Sequence, residues 1–273
     1  ICNTRRHYSV FSWHQGAHYI PYGVDLDIFT QSEVLAKGTP IRLFHSCGFS
    51  PWRKGTDLLL QAITKVEIGY HLTIHTQKDL SVLGKEYIRI ITKLIDQGSL
   101  TVVNKTVPAP GLYNNHDIYV YPSRLDGIGL SLPEAIASGN VIVATNAPPM
   151  NEFTAEGFAW LVEVGSTYGR ADGYYWDVTE VRLDDLQAKI YAAIADLNIE
   201  KKKQCAREYA CRELNWADRK VLLVDIVRSV RARSIGESVL YRAIEYEKSR
   251  ISWKMRLYDA LPDSIVRYIF KDA

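Results

Sequence analysis

The chain has 273 residues, with 33 Lys and Arg against 31 Asp and Glu, a formal charge of +2. That near balance excludes nucleic-acid binding driven by bulk charge. A hydrophobic share of 47% and a charged share of 23% exclude intrinsic disorder as the main state and leave room for one large domain or two small ones.

No window reaches the length of apolar run that a membrane-spanning helix needs. The opening Ile1-Cys2-Asn3-Thr4-Arg5-Arg6 has neither a signal-peptide core nor an initiator Met, so the chain reads as a fragment or a processed product. Cys2, Cys47, Cys205 and Cys211 form no Cys-x-x-Cys pair. They fit a reducing, cytoplasmic setting and exclude a zinc ribbon or a thioredoxin-type site.

Residues 1–40 form a lead-in. It contains Pro21-Tyr22-Gly23-Val24-Asp25, read as a turn in which Gly23 is free to take positive φ. Short apolar runs predict strands at Ile41–Cys47, His71–Thr76, Ser99–Val103, Asp117–Tyr121, Val141–Thr145 and Phe158–Val162. Helical spacing predicts helices at Thr56–Val66 (capped by Thr56), at Asp79–Gln97 (stopped by Gly98) and at Pro133–Ser138 (stopped by Gly139). Gly165–Asp177 reads as a long loop with Tyr168, Tyr174, Tyr175 and Trp176, whose rings either cap the core or stack on a ligand. Leu183–Leu197, Glu200–Glu213 and Ala217–Val230 read as helices, and 231–273 as a basic helical extension.

This alternation predicts an α/β fold, a Rossmann-like doubly wound parallel sheet over 41–230, with a helical C-terminal extension. Such sheets bind ligands in the loops after their strands. One loop runs Tyr121-Pro122-Ser123-Arg124-Leu125-Asp126-Gly127-Ile128-Gly129-Leu130-Ser131 and leads to Glu134. Helix-start amides favour an anion such as a diphosphate, Gly127 and Gly129 permit close approach, and two carboxylates can accept from sugar hydroxyls. Ser131-x-x-Glu134 is also the spelling of a capping box, and Asp126-Gly127 that of a turn. A second loop, Gly48-Phe49-Ser50-Pro51-Trp52-Arg53-Lys54-Gly55, offers two cations before a helix. It fits neither the Walker order nor the dinucleotide fingerprint, which disfavours an oxidoreductase.

Taken in order, the Pro21–Phe29 segment, Lys54-Gly55, Pro122-Ser123 and Asp126-x7-Glu134 around Gly127-Ile128-Gly129-Leu130 resemble the nucleotide-sugar glycosyltransferases of family 4, which have the GT-B fold. Glu152 matches that family's later glutamate, and Asn215-Trp216 its late aromatic signature. The resemblance covers about residues 18–230 and implies one GT-B half, the C-terminal donor-binding one. It implies transfer of a sugar from a UDP- or GDP-linked donor, with retention and with no cofactor or metal. The acceptor is an unknown glycan or lipid-linked molecule.

By the same resemblance, Lys54 grips the diphosphate with help from Arg53 and the Gly48 turn, and the amides of Gly129 to Ser131 add contacts. Glu134 binds ribose, Asp126 holds sugar hydroxyls, and the base lies near Val107–Asn115. The sequence departs in three ways: Asp126 stands where the family has Glu, Gly48 where it often has Arg, and the acceptor domain is missing. The chain therefore reads as an excised donor half, as a subunit paired with a separate acceptor domain, or as a noncatalytic nucleotide-sugar-binding or scaffold subunit. His45, at the end of a strand beside the second loop, is a further candidate. The basic and aromatic Ile251–Tyr258 segment fits a helix packed on protein, with peripheral membrane contact as the alternative.

Overall fold

The computed structural model describes residues 1–31, 39–169, 176–229, 241, 242 and 245. The chain divides into two units, Ile1–Asp225 and Ile226–Ala273. The expected extension over 231–273, the Ile251–Tyr258 segment, Tyr174 and Tyr175 lie almost wholly or entirely outside the described residues.

The first unit is built on a six-stranded parallel sheet. In chain order its strands are β1 (Ile41–Gly48), β2 (Tyr70–Thr76), β3 (Leu100–Asn104), β4 (Ile118–Tyr121), β5 (Val141–Thr145) and β6 (Ala159–Val162). Their spatial order is β3-β2-β1-β4-β5-β6, and every pair is parallel. This is the doubly wound, Rossmann-like α/β fold expected. Successive strand residues face opposite sides. Ile118 and Val120 join the core on one face, while Tyr119 and Tyr121 join the core on the other. Burial on both faces is what makes these strands read as continuous apolar runs rather than alternating ones.

Seven α-helices are described in full: α1 (Arg5–Phe11), α2 (Thr56–Ile63), α3 (Lys85–Asp96), α4 (Ser131–Ala137), α5 (Leu183–Ile194), α6 (Ile199–Glu213) and α7 (Trp216–Ser229). Residues of α2, α3 and α5 fill the first core, and those of α4 and α6 fill the second. Chain order reverses between β1 and β4, which opens the crevice at their carboxyl ends where such sheets take ligands. Among the described residues, no helix is long and apolar enough to cross a membrane.

Several expectations need correction. The Asp79–Gln97 helix is two pieces, a 3₁₀ turn at Leu80–Leu83 and then α3, because Gly84 has φ of 101°, a region that breaks a helix. Thr56 does not cap α2: Gly55 holds that position in a left-handed conformation, and Thr56 is the first helical residue. The expected Gly165–Asp177 loop begins inside a strand, since β7 (Val164–Tyr168) pairs antiparallel with β8 (Val178–Val181). The turn at Gly23 needs no positive φ. Its glycine is required by space: an added Cβ would lie 2.9 Å from Trp216 Cα. Here Val24 donates to the Leu214 carbonyl (2.7 Å) and Trp216 to that of Val24 (3.0 Å). The Tyr22 and Trp216 rings pack at 5.3 Å. The two outlying motifs, far apart in sequence, are halves of one junction.

Candidate functional site

The site grows from the loops that follow β1 and β4. After β1, Gly48 turns at φ 54° and the chain closes a tight reversal, with Lys54 donating to the Ser50 carbonyl (3.0 Å) and Gly55 to that of Trp52 (3.0 Å). Gly55 then takes φ of 72° against the second loop, where a Cβ would meet the Pro122 carbonyl oxygen at 2.0 Å. Neither the conformation nor the space admits a side chain. Gly55→Ala therefore separates the two loops, and we expect a melting temperature lower by several degrees together with loss of ligand affinity, read by calorimetry.

The loops are also clamped to each other. Arg124 donates its backbone N–H to the Arg53 carbonyl (2.8 Å), and Arg53 donates from its guanidinium to the Leu125 carbonyl (3.1 Å). The buried Arg124 guanidinium makes a bidentate pair with Asp57 (2.6 and 2.8 Å), bonds Glu180 at 2.9 Å and the Trp52 carbonyl at 2.7 Å, and lies over the Trp52 ring. A planar fork of five donors is what allows one side chain to hold so many acceptors at once.

Lys54 reaches across this clamp. Its ammonium donates to Asp126 and to the Tyr121 hydroxyl (2.7 Å), and lies 4.7 Å from the centre of the Tyr121 ring. Lys54 and Asp126 are each 14% exposed. Arg53 stands 3.9 Å from the other Asp126 oxygen. Burial pushes the Asp126 carboxyl up, but the Lys54 charge and bonds from Lys54 and Tyr121 outweigh it, so the group sits below its ordinary value. The Gly127 amide turns back to Asp126 (2.8 Å). Ile128 packs on the second core, Gly129 reverses the chain at φ 83°, and Leu130 and Ser131 open α4.

Glu134 does not close its own helix. No side-chain bond caps α4, and the Glu134 carboxylate accepts instead from the Tyr113 hydroxyl at 2.8 Å. The capping-box reading of Ser131 and Glu134 fails, and the Ser131 hydroxyl has no hydrogen-bond partner among the described residues. Burial raises the Glu134 carboxyl above its usual range, against the opposing pull of the Tyr113 hydroxyl and the Lys54 charge. Beside Glu134 lies a cleft of about 200 Å³ lined by Phe29, Phe44, His75, Val107, Pro110 and Tyr113. The loop after β3 thus meets the acid of α4.

His45 is not part of this surface. It is fully buried, and the Val120 carbonyl fixes a proton on Nδ1 (2.8 Å), so Nε2 accepts from the Thr56 hydroxyl (2.8 Å). Burial pushes the imidazole down to about 4, leaving it neutral at pH 7 and with both nitrogens occupied. Glu152 takes the backbone N–H groups of Arg5 and Arg6 at the start of α1. Trp176 receives the Arg6 guanidinium at 4.3 Å from its ring centre. The sequence reading missed Tyr113, Tyr121 and Arg124. For Tyr121 a signal existed: on a strand, the two-residue spacing of Tyr119 and Tyr121 puts both rings on one face.

The chain is similar to known proteins in sequence and in fold. Residues 40–173 match the family model "Glycosyl transferases group 1". This segment is similar to the group 1 glycosyl transferases. Over 170 residues the chain is 31% identical to the lipopolysaccharide core biosynthesis mannosyltransferase LpcC of Rhizobium leguminosarum bv. viciae, covering 56% of this chain and 46% of that protein. The chain spans less than half the length of the curated relatives it matches, 46% and 33%. Among solved structures, Anabaena HepE in complex with UDP and glucose superposes with a TM-score of 0.65 at 16% identity, over 84% of this chain and 62% of that one. The C-terminal domain of a group 1 glycosyl transferase (LpcC) from Francisella tularensis gives a TM-score of 0.54 at 20% identity, over 71% of this chain and 99% of that one. Both share the fold.

Proposed function

We propose that this chain is the C-terminal, donor-binding part of a retaining, family 4-like glycosyltransferase acting in glycan biosynthesis in the cytoplasm. Its donor is a UDP- or GDP-linked sugar, and its acceptor an unknown glycan or lipid-linked molecule held mainly by an N-terminal domain or a partner subunit. The observation that carries the reading is the Lys54–Asp126 pair formed by the loops after β1 and β4, with Glu134 of the following helix close enough for its carboxyl to feel the Lys54 charge. The match of the LpcC C-terminal domain over 99% of its own length supports the assignment to that half.

In this reading the diphosphate enters as an anion beside Lys54, with Arg53 next to it in place of the arginine that Gly48 replaces. These two cations, with the amides of Gly129 to Ser131, bear the charge that leaves with the nucleoside diphosphate, so no metal is required. As Lys54 turns to phosphate, Asp126 is freed to accept sugar hydroxyls. Glu134 takes the ribose, and the adjoining cleft of about 200 Å³ takes the base. The protein's contribution is placement and electrostatic stabilisation of the leaving group.

Calorimetric titration with UDP, GDP and ADP, without metal, tests this. We expect binding of one nucleotide, weakened at least about tenfold in Glu134→Ala, which loses a charge-assisted acceptor for ribose. A folded chain that binds none of the three overturns the donor reading. A second reading, a noncatalytic nucleotide-sugar-binding or scaffold subunit, draws on the short Asp126 arm already closed onto Lys54. Nucleotide binding without transfer, when the acceptor domain is supplied, would select it.

A further inference from the structure

Three buried tyrosines lie in a row beneath the two motif carboxylates. Tyr113 comes from the 3₁₀ turn before β4, and Tyr119 and Tyr121 come from β4 itself. Tyr113 and Tyr119 meet edge to face at 5.7 Å, and Tyr119 and Tyr121 stack at 5.6 Å. The outer two hydroxyls each go to one carboxylate: Tyr113 donates to Glu134 (2.8 Å), and Tyr121 donates to Asp126. The middle hydroxyl, that of Tyr119, has no hydrogen-bond partner among the described residues.

A core built for packing alone would fill these places with phenylalanine, since burying a hydroxyl opposes folding unless it is bonded. Here the two hydroxyls that touch the site are bonded, and each meets an acid whose direction matters. The chemistry is specific. A phenol donates one proton, so the carboxylate keeps its remaining lone pairs for other donors. The ring behind the phenol is locked by its neighbours, so the acid inherits a fixed position. Asp126 is one methylene shorter than the glutamate its place resembles, and the Tyr121 hydroxyl meets it where that shorter arm ends.

We propose that Tyr113 and Tyr121 are positioning residues of the donor site, each holding one motif carboxylate in the orientation in which it receives a hydroxyl of the bound nucleotide sugar. The inference rests on the donor-site reading above. It assigns Tyr113 to the ribose end through Glu134 and Tyr121 to the transferred sugar through Asp126. Tyr121 accepts from Lys54 but donates its own proton to Asp126, so that contact remains when the ammonium swings to phosphate.

The test separates holding from packing. Carboxyl-carbon NMR titration follows Glu134 and Asp126 in the full chain, in Tyr113→Phe, Tyr121→Phe and Tyr119→Phe. The charged and titratable groups facing Glu134 are Tyr113, Lys54 and Tyr119, and those facing Asp126 are Lys54, Arg53 and Tyr121. A hydroxyl bonded to an ionised acid favours the ionised form, so its loss raises that acid's titration midpoint. We expect Tyr113→Phe to raise the Glu134 midpoint and Tyr121→Phe that of Asp126, with Tyr119→Phe moving neither.

In parallel, UDP-glucose and GDP-mannose are titrated calorimetrically against UDP and GDP. Tyr113→Phe should weaken nucleotide and nucleotide sugar alike, by about tenfold. Tyr121→Phe should chiefly remove the extra affinity that the sugar confers. Midpoints that stay put in both variants overturn the proposal, as do shifted midpoints with undiminished affinity. If the folded wild-type chain binds none of the four probes, the donor reading falls and the positioning role with it. Shifted midpoints in that case would mark the tyrosines as structural anchors of the two acids.

Discussion

On the proposed donor-site reading, Lys54→Ala is expected to lower the affinity of the chain for a nucleoside diphosphate about 100-fold, the effect of removing a hydrogen-bonded charge from a partly buried pair. Two contributions act in the same direction. The diphosphate loses a cation that is 14% exposed and therefore weakly screened. It also gains a repulsive neighbour, because Asp126 retains its negative charge with only the more distant Arg53, at 3.9 Å, to offset it. The second contribution can be isolated: Lys54→Ala combined with Asp126→Asn should recover part of the lost affinity for plain nucleotide. Calorimetric titration of both variants with the nucleotide that the wild type binds measures this. Unchanged affinity in Lys54→Ala would place the diphosphate elsewhere.

Asp117→Ala destabilises the fold by about 3–5 kcal/mol, the cost typical of breaking a buried ion pair from one side. Asp117 and Lys203 are both 0% exposed and lie 2.9 Å apart. Asp117 also receives the Arg42 backbone N–H (3.0 Å) and two bonds from its guanidinium (2.9 Å each), so one carboxylate ties β1 to α6. The two ends of the pair are unequal. Lys203→Met leaves Asp117 with the Arg42 fork and fills similar volume, so its cost should be smaller.

The Asp117 carboxyl is pushed up by burial but held low on balance by Arg42 and Lys203. A group whose folded value is depressed stabilises above its unfolded value of about 3.9 and loses that contribution as pH falls through the folded value. Urea unfolding at neutral pH should show the lost stability, and the acid limb of the wild-type profile should be shallower in Asp117→Ala.

Sequence alone carried the sheet because its strands are covered on both faces, which leaves an apolar run such as Val141–Thr145 little other use. It pointed to the two candidate loops because they follow strands at the switch point of the sheet and gather glycines, cations and carboxylates. What it missed depends on partners distant in the chain. The helical spacing of Asp79–Gln97 runs through Gly84, and nothing in periodicity marks that glycine's φ of 101°. β7 has a mostly exposed face pattern, so no alternation announces it. His45 stands near the end of a strand beside the Gly48–Gly55 loop, as a site residue would, and only its contacts with Val120 and Thr56 show that it serves the interior. In sequence Gly23 reads as a turn glycine free to take positive φ, whereas its role is to leave room for Trp216.

The junction between Gly23 and Trp216 bears on where this protein can be cut. The family match begins at residue 40, which invites trimming everything before it. Yet Val24 belongs to the core beneath α4 and α6, with Tyr22, Leu26 and Phe29 packed against it. Arg207 of α6 donates to the carbonyls of Phe29 and Ala137 (2.6 Å each), fastening the same segment to the helix that carries Glu134. A piece starting at residue 40 would bare that apolar floor and leave α6 without its outer layer. Its first symptom should be aggregation rather than weak binding, a loss easily mistaken for absence of activity.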